Sequence, residues 1–391
     1  MAYVIFGDYF TFPEGTASTN RVYTYAKGFI ENGIPVHVIC FRNDYLDKFN
    51  GQTEGINYYH PFGQTKRNRY FVVRRWQKFL KYIRTLNLIK EINKANRIIA
   101  IQVYTEDIFT QLFSFILAKA FKTKLLIERS EHPLRNFQSN HLMKFAGKTK
   151  VAIETILYDG IFCISKFLID FYEKKGFSRE RICLVPSTVD TGRFNQHFSR
   201  PLNFNYILYV GSLTIQKDGV NILIESFAKI CDEYPELKLV LIGEADTLKE
   251  EMMLKALVPS LNIDTERVIF LGRLPRNDIP AYLCNAEILA LARPQNIISD
   301  AGFPSKLTEY LATGKPVVVT RVGEIPAYLE NNETAFLSEP DSAEAFAGKL
   351  HFVLSNYEFA QKVGSRGKDL TATVFNYSYQ AKRMLEFIKS L

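Results

Sequence analysis

AGFPSKLTEYLATGKPVVVT, residues 301–320, decides the fold. Gly302 and Pro304 shape a tight loop, and Ser305 or Thr308 stands where a helix N-cap is expected. Glu309 sits one turn in, Gly314 ends the helix, and Pro316 opens the apolar run Val317-Val318-Val319. Loop, short helix and wholly apolar strand, in that order, are a piece of an α/β domain whose parallel strands are covered on both faces. A loop that runs straight into a helix N-terminus is also a ready anion site, because unpaired N–H groups and the helix dipole point the same way. On spacing alone, a diphosphate site and an ordinary loop and helix fit these residues equally.

The same alternation runs through the whole chain. Strands are expected over 3–6, 35–40, 98–103, 124–127, 161–164 and 182–185. Helices are expected over 21–32, 76–95, 107–121 and 166–175, the last capped by Ser165. Residues 190–205 are polar and weakly periodic, and the pattern then restarts. It gives strands over 206–210, 237–242, 268–271 and 288–291, with helices over 221–234, 247–258 and 278–285. The expected architecture is α/β: two facing, doubly wound, Rossmann-like domains over 1–190 and 206–372, with a linker over 191–205. A final amphipathic helix over 373–391 either caps its own domain or crosses back to the first.

Composition narrows the class. The 391 residues are 47% apolar and 23% charged, a globular balance. Cys40, Cys163, Cys183, Cys231 and Cys284 are odd in number and have no C-x-x-C spacing. They fit reduced thiols in a cytoplasmic protein, not a disulfide framework or a zinc site. The opening MAYVIFGDYF reads as a first strand, without the basic leader of a signal peptide. The apolar stretch 109–121 is broken by Thr110, Gln111, Ser114 and Lys119 and reads as a buried helix.

The net charge of +8 is concentrated. Lys66, Arg67, Arg69, Arg74, Arg75, Lys78, Lys81, Arg84 and Lys90 occur with no acidic residue among them, interleaved with Tyr70, Phe71, Trp76, Phe79 and Tyr82. Residues 66–90 fit an anionic membrane surface or anionic acceptor, with the protein peripheral on the inner face of the membrane. A solvated basic helix over a buried aromatic stripe is the plainer reading. Nucleic acid is not expected as a partner, since no RRM, KH, zinc-finger or helix-turn-helix signature is present.

Four blocks of the second half together resemble the nucleotide-sugar-binding domain of glycosyltransferase family 4, whose fold is GT-B. They are YVGSLTIQKDGVNILIESF (209–227), LVLIGEA (239–245), VIFLGRLPRNDIPAYL (268–283) and GFPSKLTEYLATGKPVVVT (302–320). In the first half, FPEGTASTNRVYTYAKGFIENGIPVHVIC (12–40), LLIERSEHP (125–133), YDGIFCISKFL and VPSTVDTGRF also fit. The resemblance implies a glycosyltransferase, without cofactor, that uses a nucleotide-sugar donor, most often a UDP-sugar, and, since no D-x-D triplet stands at a strand end, a metal-independent one is expected. It implies transfer with retention to a glycan or lipid-linked acceptor, in bacterial-type polysaccharide or glycoconjugate synthesis.

The resemblance also assigns residues. Glu309 matches the glutamate that holds the donor ribose, and Gly302, Phe303, Pro304, Ser305 and Lys306 the loop at the sugar and distal phosphate. Lys217 matches a phosphate ligand that assists departure of the diphosphate, and Gly243 the turn after the second strand. Arg273 and Leu274 border the base. Gly15 lies in the small-residue loop that meets the donor from the first half, and Arg21 continues its helix. Glu128, Glu131 and His132 form a cluster in which Glu131 or His132 accepts the acceptor proton, and Thr188 and Asp190 sit in the turn before the linker.

Two departures stand out. Ala301 occupies the place of a first glutamate, so either Asp300 serves with a shifted loop or a backbone N–H replaces it. Ser212 follows Gly211 where an arginine is usual, leaving the diphosphate one cation short unless Arg273 or Lys306 compensates. A nucleotide-sugar epimerase and a non-catalytic nucleotide-sugar-binding or membrane-scaffold protein are the rival readings.

Overall fold

The computed structural model describes residues 1–134 and 141–391. They divide into two units, one of Met1–Thr188 with Tyr377–Leu391 and one of Val189–Asn376.

In the first unit the apolar runs become an eight-stranded sheet: β1 (Ala2–Gly7), β2 (Val36–Cys40), β3 (Asn50–Thr53), β4 (Ile56–Tyr59), β5 (Ile98–Tyr104), β6 (Lys124–Arg129), β7 (Gly160–Cys163) and β8 (Ile182–Leu184). Its order is β3-β4-β2-β1-β5-β6-β7-β8, parallel except where β3 runs against β4. β1 is buried along its whole length, which is why it carries no alternation. The helices are α1 (Ala17–Glu31), α2 (Phe71–Ala95), α3 (Ile108–Phe121), α4 (His141–Leu157) and α5 (Lys166–Glu173). Asp107 caps α3 by accepting the Thr110 N–H at 2.8 Å, and Ser165 caps α5 by accepting that of Leu168 at 3.2 Å. The C-terminal helix, Tyr377–Ser390, belongs to this unit. Its Ala381, Met384, Leu385 and Ile388 enter the core formed by Tyr3, Tyr25 and Phe29. Gly28 permits that approach, since a Cβ there would lie 2.5 Å from the Tyr377 carbonyl oxygen.

Several sequence expectations change here. The β3–β4 hairpin and α4 were not foreseen; β3, Asn-Gly-Gln-Thr, shows no apolar alternation. α3 is not wholly buried, because Phe109, Leu112 and Ile116 face outward. Arg21 and Glu128, read from the sequence as near the cleft, form a buried ion pair at 2.8 Å. Arg21 also donates to the carbonyls of Val185 (2.8 Å) and Pro186 (3.2 Å), and Gln102 donates to Glu128 at 2.8 Å. Thr188 donates to Thr24 at 2.7 Å within the same interior.

The basic helix differs on both faces from the plainer reading. Its aromatic stripe is exposed: Phe71 by 60%, Trp76 by 58% and Phe79 by 52%. Lys81, by contrast, is buried, donating to the Phe41 carbonyl (2.9 Å) and Asn43 (3.0 Å) over the Phe41 ring. Burial pushes its ammonium down to about 8 against the attraction of Asp8 and Asp107. An unfolded chain keeps that proton to about pH 10.4. Across this window the unfolded state binds more protons, so stability rises with pH, by at most about 3 kcal/mol from this one group. Lys81→Met should abolish that rise. In denaturant titrations between about pH 8 and pH 10.5, wild type should gain on the variant as pH increases. A gap constant with pH would show that Lys81 titrates normally.

The second unit holds a six-stranded, wholly parallel sheet of β9 (Asn205–Val210), β10 (Leu237–Ile242), β11 (Val268–Gly272), β12 (Ile288–Leu291), β13 (Val317–Thr320) and β14 (Phe336–Ser338). The order is β11-β10-β9-β12-β13-β14. Around it lie α6 (Ile215–Asp218), α7 (Val220–Ala228), α8 (Leu248–Ser260), α9 (Ile279–Asn285), α10 (Ile297–Ala301), α11 (Ser305–Thr313), α12 (Ile325–Tyr328), α13 (Ala343–Ser355) and α14 (Tyr357–Ala372). Residues 191–205, expected as a linker, lie within this unit. Val189 bridges to Asn376, Asp190 caps a 3-10 turn over Thr191–Phe194, and Phe194 is buried.

Candidate functional site

In a doubly wound sheet, ligands bind at the carboxyl ends of the strands where the strand order reverses. In the second unit that point lies between β9 and β12, because the chain leaves β9 for β10 on one side and returns to β12 on the other. The ends of β9, β10 and β11 are glycines with positive φ: Gly211, Gly243 and Gly272. The Gly211 N–H donates to the Ile242 carbonyl at 2.9 Å and the Gly243 N–H to that of Gly272 at 2.8 Å. A Cβ on Gly243 would lie 1.8 Å from the Gly211 carbonyl oxygen, so only glycine allows the two turns to nest.

Around this edge stand the cations. Lys217, on α6, is exposed, and its carbonyl accepts from buried Arg293 at 3.1 Å. Lys306, the second residue of α11, turns back across Gly211 instead of out to water. Its Nζ is 2.8 Å from Asp218 Oδ2 and donates to the Tyr209 hydroxyl at 2.7 Å. Tyr209 in turn donates to the Ser212 carbonyl at 2.6 Å. Burial opposes ionisation of Asp218, but Lys306 and then Arg293 hold its carboxyl below the usual range. Ser212 itself is exposed and uncharged.

α11 is positioned by its own sequence. Gly314 closes it in the left-handed conformation, and Tyr310 accepts the Val210 N–H at 2.8 Å, tying the helix to the end of β9. Neither Ser305 nor Thr308 caps it. Pro304 is the N-cap, no side chain accepts from the first turn, and Thr308 donates to the Ser305 carbonyl at 2.8 Å. The preceding loop is shorter than expected, because Asn296 caps a further turn, α10, through the Ile298 and Ser299 N–H groups. Ala301 is buried in that turn, and Asp300 accepts from Gln295 at 2.6 Å. Phe303 is buried with Tyr328 and Phe375, ring centroids 5.4 and 5.5 Å away, so its side chain serves packing. Gly302 has extended backbone, and Pro304 is buried with it.

Glu309, fifth in α11, is paired through Oε1 with Arg193. Arg193 also donates to the Arg276 carbonyl at 3.0 Å, joining Glu309 to the loop that follows β11. In that loop Arg273 is exposed and Leu274 half-buried. Sequence reasoning singled out neither Arg193 nor Asp218. Arg193 sat in a stretch taken as a linker, although the buried aromatic beside it, Phe194, was the signal. Asp218 stands next to Lys217 and Gly219, and nothing in those neighbours marks its carboxylate as buried.

In the first unit, Gly15 lies in an exposed loop ahead of α1, where a Cβ would be 2.2 Å from Thr19 Oγ1 and 2.4 Å from Thr11 Oγ1. Glu131 and His132 follow the end of β6. Glu131 accepts from the Tyr9 hydroxyl. His132 is buried against Phe167 and Phe171, which lowers its pKa, and its Nδ1 accepts the Leu134 N–H at 3.2 Å. In its neutral form the proton therefore sits on Nε2, which makes that ring nitrogen a donor. Among the described residues, no group of three His, Cys, Asp or Glu side chains is placed to hold a metal ion.

Residues 192–370 match the family described as glycosyl transferases group 1. The chain is 30% identical over 148 residues to N-acetyl-alpha-D-glucosaminyl L-malate synthase of Bacillus anthracis, covering 38% of this chain and 35% of that one. It is 25% identical over 228 residues to D-inositol 3-phosphate glycosyltransferase of Corynebacterium urealyticum, covering 54% and 52%. The chain thus spans 35% of the length of the first of these curated relatives and 52% of the second. Its fold is that of sucrose-phosphate synthase from Thermosynechococcus elongatus (TM-score 0.72, 16% identity, 100% and 99% covered). It is equally that of HepE from Anabaena in complex with UDP and glucose (TM-score 0.70, 15% identity, both chains covered in full). The GT-B fold expected from the sequence is thus present, and residues 192–370 match the group 1 glycosyltransferase family.

Proposed function

We propose that the chain is a metal-independent glycosyltransferase that takes a sugar from a nucleotide-sugar donor, a UDP-sugar, and passes it with retention to a glycan or lipid-linked acceptor. One observation carries this reading. At the switch point of the second unit, the nested glycine turns, two lysines and the uncapped start of α11 converge, and the segment that holds them matches the group 1 family. The complex of HepE with UDP and glucose supports the uridine nucleotide.

The diphosphate lies on the Gly211–Ser212 turn, with Lys217 and Lys306 as its cations and the N–H groups of Ser305 and Lys306 beneath it. These charges are worth most as the glycosidic bond breaks, when the departing phosphate gains negative charge. A phosphate oxygen then takes the proton of the attacking acceptor hydroxyl, consistent with retention. Glu309, aligned by Arg193, receives the ribose hydroxyls, and the Arg273–Leu274 backbone frames the base. The exposed apolar and basic face of α2 rests on an anionic lipid surface and keeps a lipid-linked acceptor within reach. Among the described residues no helix is long and apolar enough to cross a membrane.

A thermal-shift series with UDP, GDP and uridine tests the central claim. At about a hundredfold excess over Kd, bound UDP stabilises by about 2.7 kcal/mol, or roughly 5–10 °C for a domain of this size. No shift with any nucleotide or sugar nucleotide would refute it. Mass spectrometry of products formed with lipid-linked acceptors then separates transfer from epimerisation and from binding alone.

A further inference from the structure

Lys306 is held in an unusual way for a lysine at the start of a helix. Its side chain is 16% exposed, and its Nζ lies so close to the strand end that a Cβ on Gly211 would come within 2.4 Å of it. Two of its three N–H donors are directed to Asp218 (2.8 Å) and Tyr209 (2.7 Å), and the ammonium lies 4.6 Å from the centre of the Tyr209 ring. Both partners are fixed. Tyr209 is buried and spans to the Ser212 carbonyl, while Asp218 is buried between Lys306, Arg293 at 4.0 Å and Thr214 at 3.4 Å. A flexible four-carbon stem is thereby converted into a cation with one location, beside a turn whose own side chain, Ser212, has no charge.

We propose that Asp218 and Tyr209 are positioning residues that fix Lys306 at the end of β9, where its third N–H reaches the distal phosphate of the bound nucleotide and supplies the cation Ser212 lacks. This rests on the donor-site reading above. It makes a prediction whose sign is contrary to simple electrostatics. Asp218 is an anion near an anion site, so removing its charge should by Coulomb attraction alone strengthen binding of a diphosphate. If its task is to hold Lys306, removal weakens binding instead, because the lysine regains its freedom.

The test compares UDP with uridine by titration calorimetry on the full chain. Lys306→Met should weaken UDP by about tenfold or more while leaving uridine unchanged, the loss of one charge-assisted contact. Asp218→Asn should weaken UDP by about fivefold, and Tyr209→Phe by about threefold, again without effect on uridine. Ser212→Arg placed in the Lys306→Met background should recover part of the lost UDP affinity. Tyr209→Phe removes one oxygen and keeps the ring, so it stands even if Asp218→Asn does not fold. UDP affinity that is unchanged or improved in both Asp218→Asn and Tyr209→Phe would overturn the proposal. Wild type that binds no UDP would overturn the donor-site reading beneath it, whereas wild-type binding with silent variants overturns the positioning role alone.

Discussion

Glu309→Ala should lower kcat/KM for the donor by a little over a hundredfold, about 3 kcal/mol, the worth of two hydrogen bonds to a carboxylate. The loss should fall mainly on KM. The ribose is remote from the bond that breaks, so its contacts are made equally in the ground and transition states. The variant also leaves Arg193 with its carbonyl partner at Arg276 but without its counter-charge, in a site where both side chains are largely shielded. Loss of general stability is separated from loss of ribose recognition by a second ligand. Wild type should bind UDP more tightly than 2′-deoxy-UDP, and Glu309→Ala should bind them alike. Glu309→Gln, which keeps an acceptor oxygen but loses the charge, should fall between. Equal affinity of wild type for the two nucleotides would remove Glu309 from the ribose site.

The helix that carries Glu309 was legible from how α11 is written, whereas the role of Glu309 itself came only from the family resemblance. The helix's turn-forming Gly314, its apolar neighbours and the strand after it are local signals, and the helix ends at that glycine. The same holds for the strands, since β10 and β12 occupy the runs read from apolar continuity. The hairpin strand β3 had no such signal, being polar, exposed and paired only with β4. Local geometry was legible where it is set by neighbours in sequence, as for the turns at Gly211 and Gly243 at strand ends. It was illegible where a distant partner sets it. Arg21 and Glu128 pair with each other inside one unit, a contact between residues 107 apart that neither one's neighbours announce. Lys306 and Asp218 meet across the switch point, and neither residue's neighbours announce the other. Phe303 and His132 illustrate the same limit from the opposite direction. Both stand in loops at strand or helix ends, and both turn their rings into aromatic packing.

Anionic vesicles should bind the chain through α2, and Trp76 should report it. It is the only tryptophan among the 391 residues, and it lies beside Phe79 with ring centroids 5.5 Å apart. No residue among the first ten of α2 is buried, although Phe71, Val72, Trp76 and Phe79 are large and apolar. Leaving such a face in water is unfavourable unless something covers it. Arg75 lies 5.0 Å from the Phe71 ring centre, so charge and apolar surface are offered together, as an interfacial helix requires. The two contributions can be separated. Each Lys or Arg near an anionic surface contributes about 1 kcal/mol that salt removes, whereas each aromatic contributes a similar amount, about 1 kcal/mol, that salt leaves. Wild-type Trp76 emission should therefore shift to the blue on adding vesicles rich in anionic lipid, and not on adding neutral ones. Phe71→Ser with Phe79→Ser keeps the reporter and should reduce partitioning by about thirtyfold or more, even in low salt. A charge-only surface would lose binding in salt but be indifferent to these two substitutions. If Trp76 remains equally accessible to an aqueous quencher with and without anionic vesicles, α2 is not a lipid-facing element.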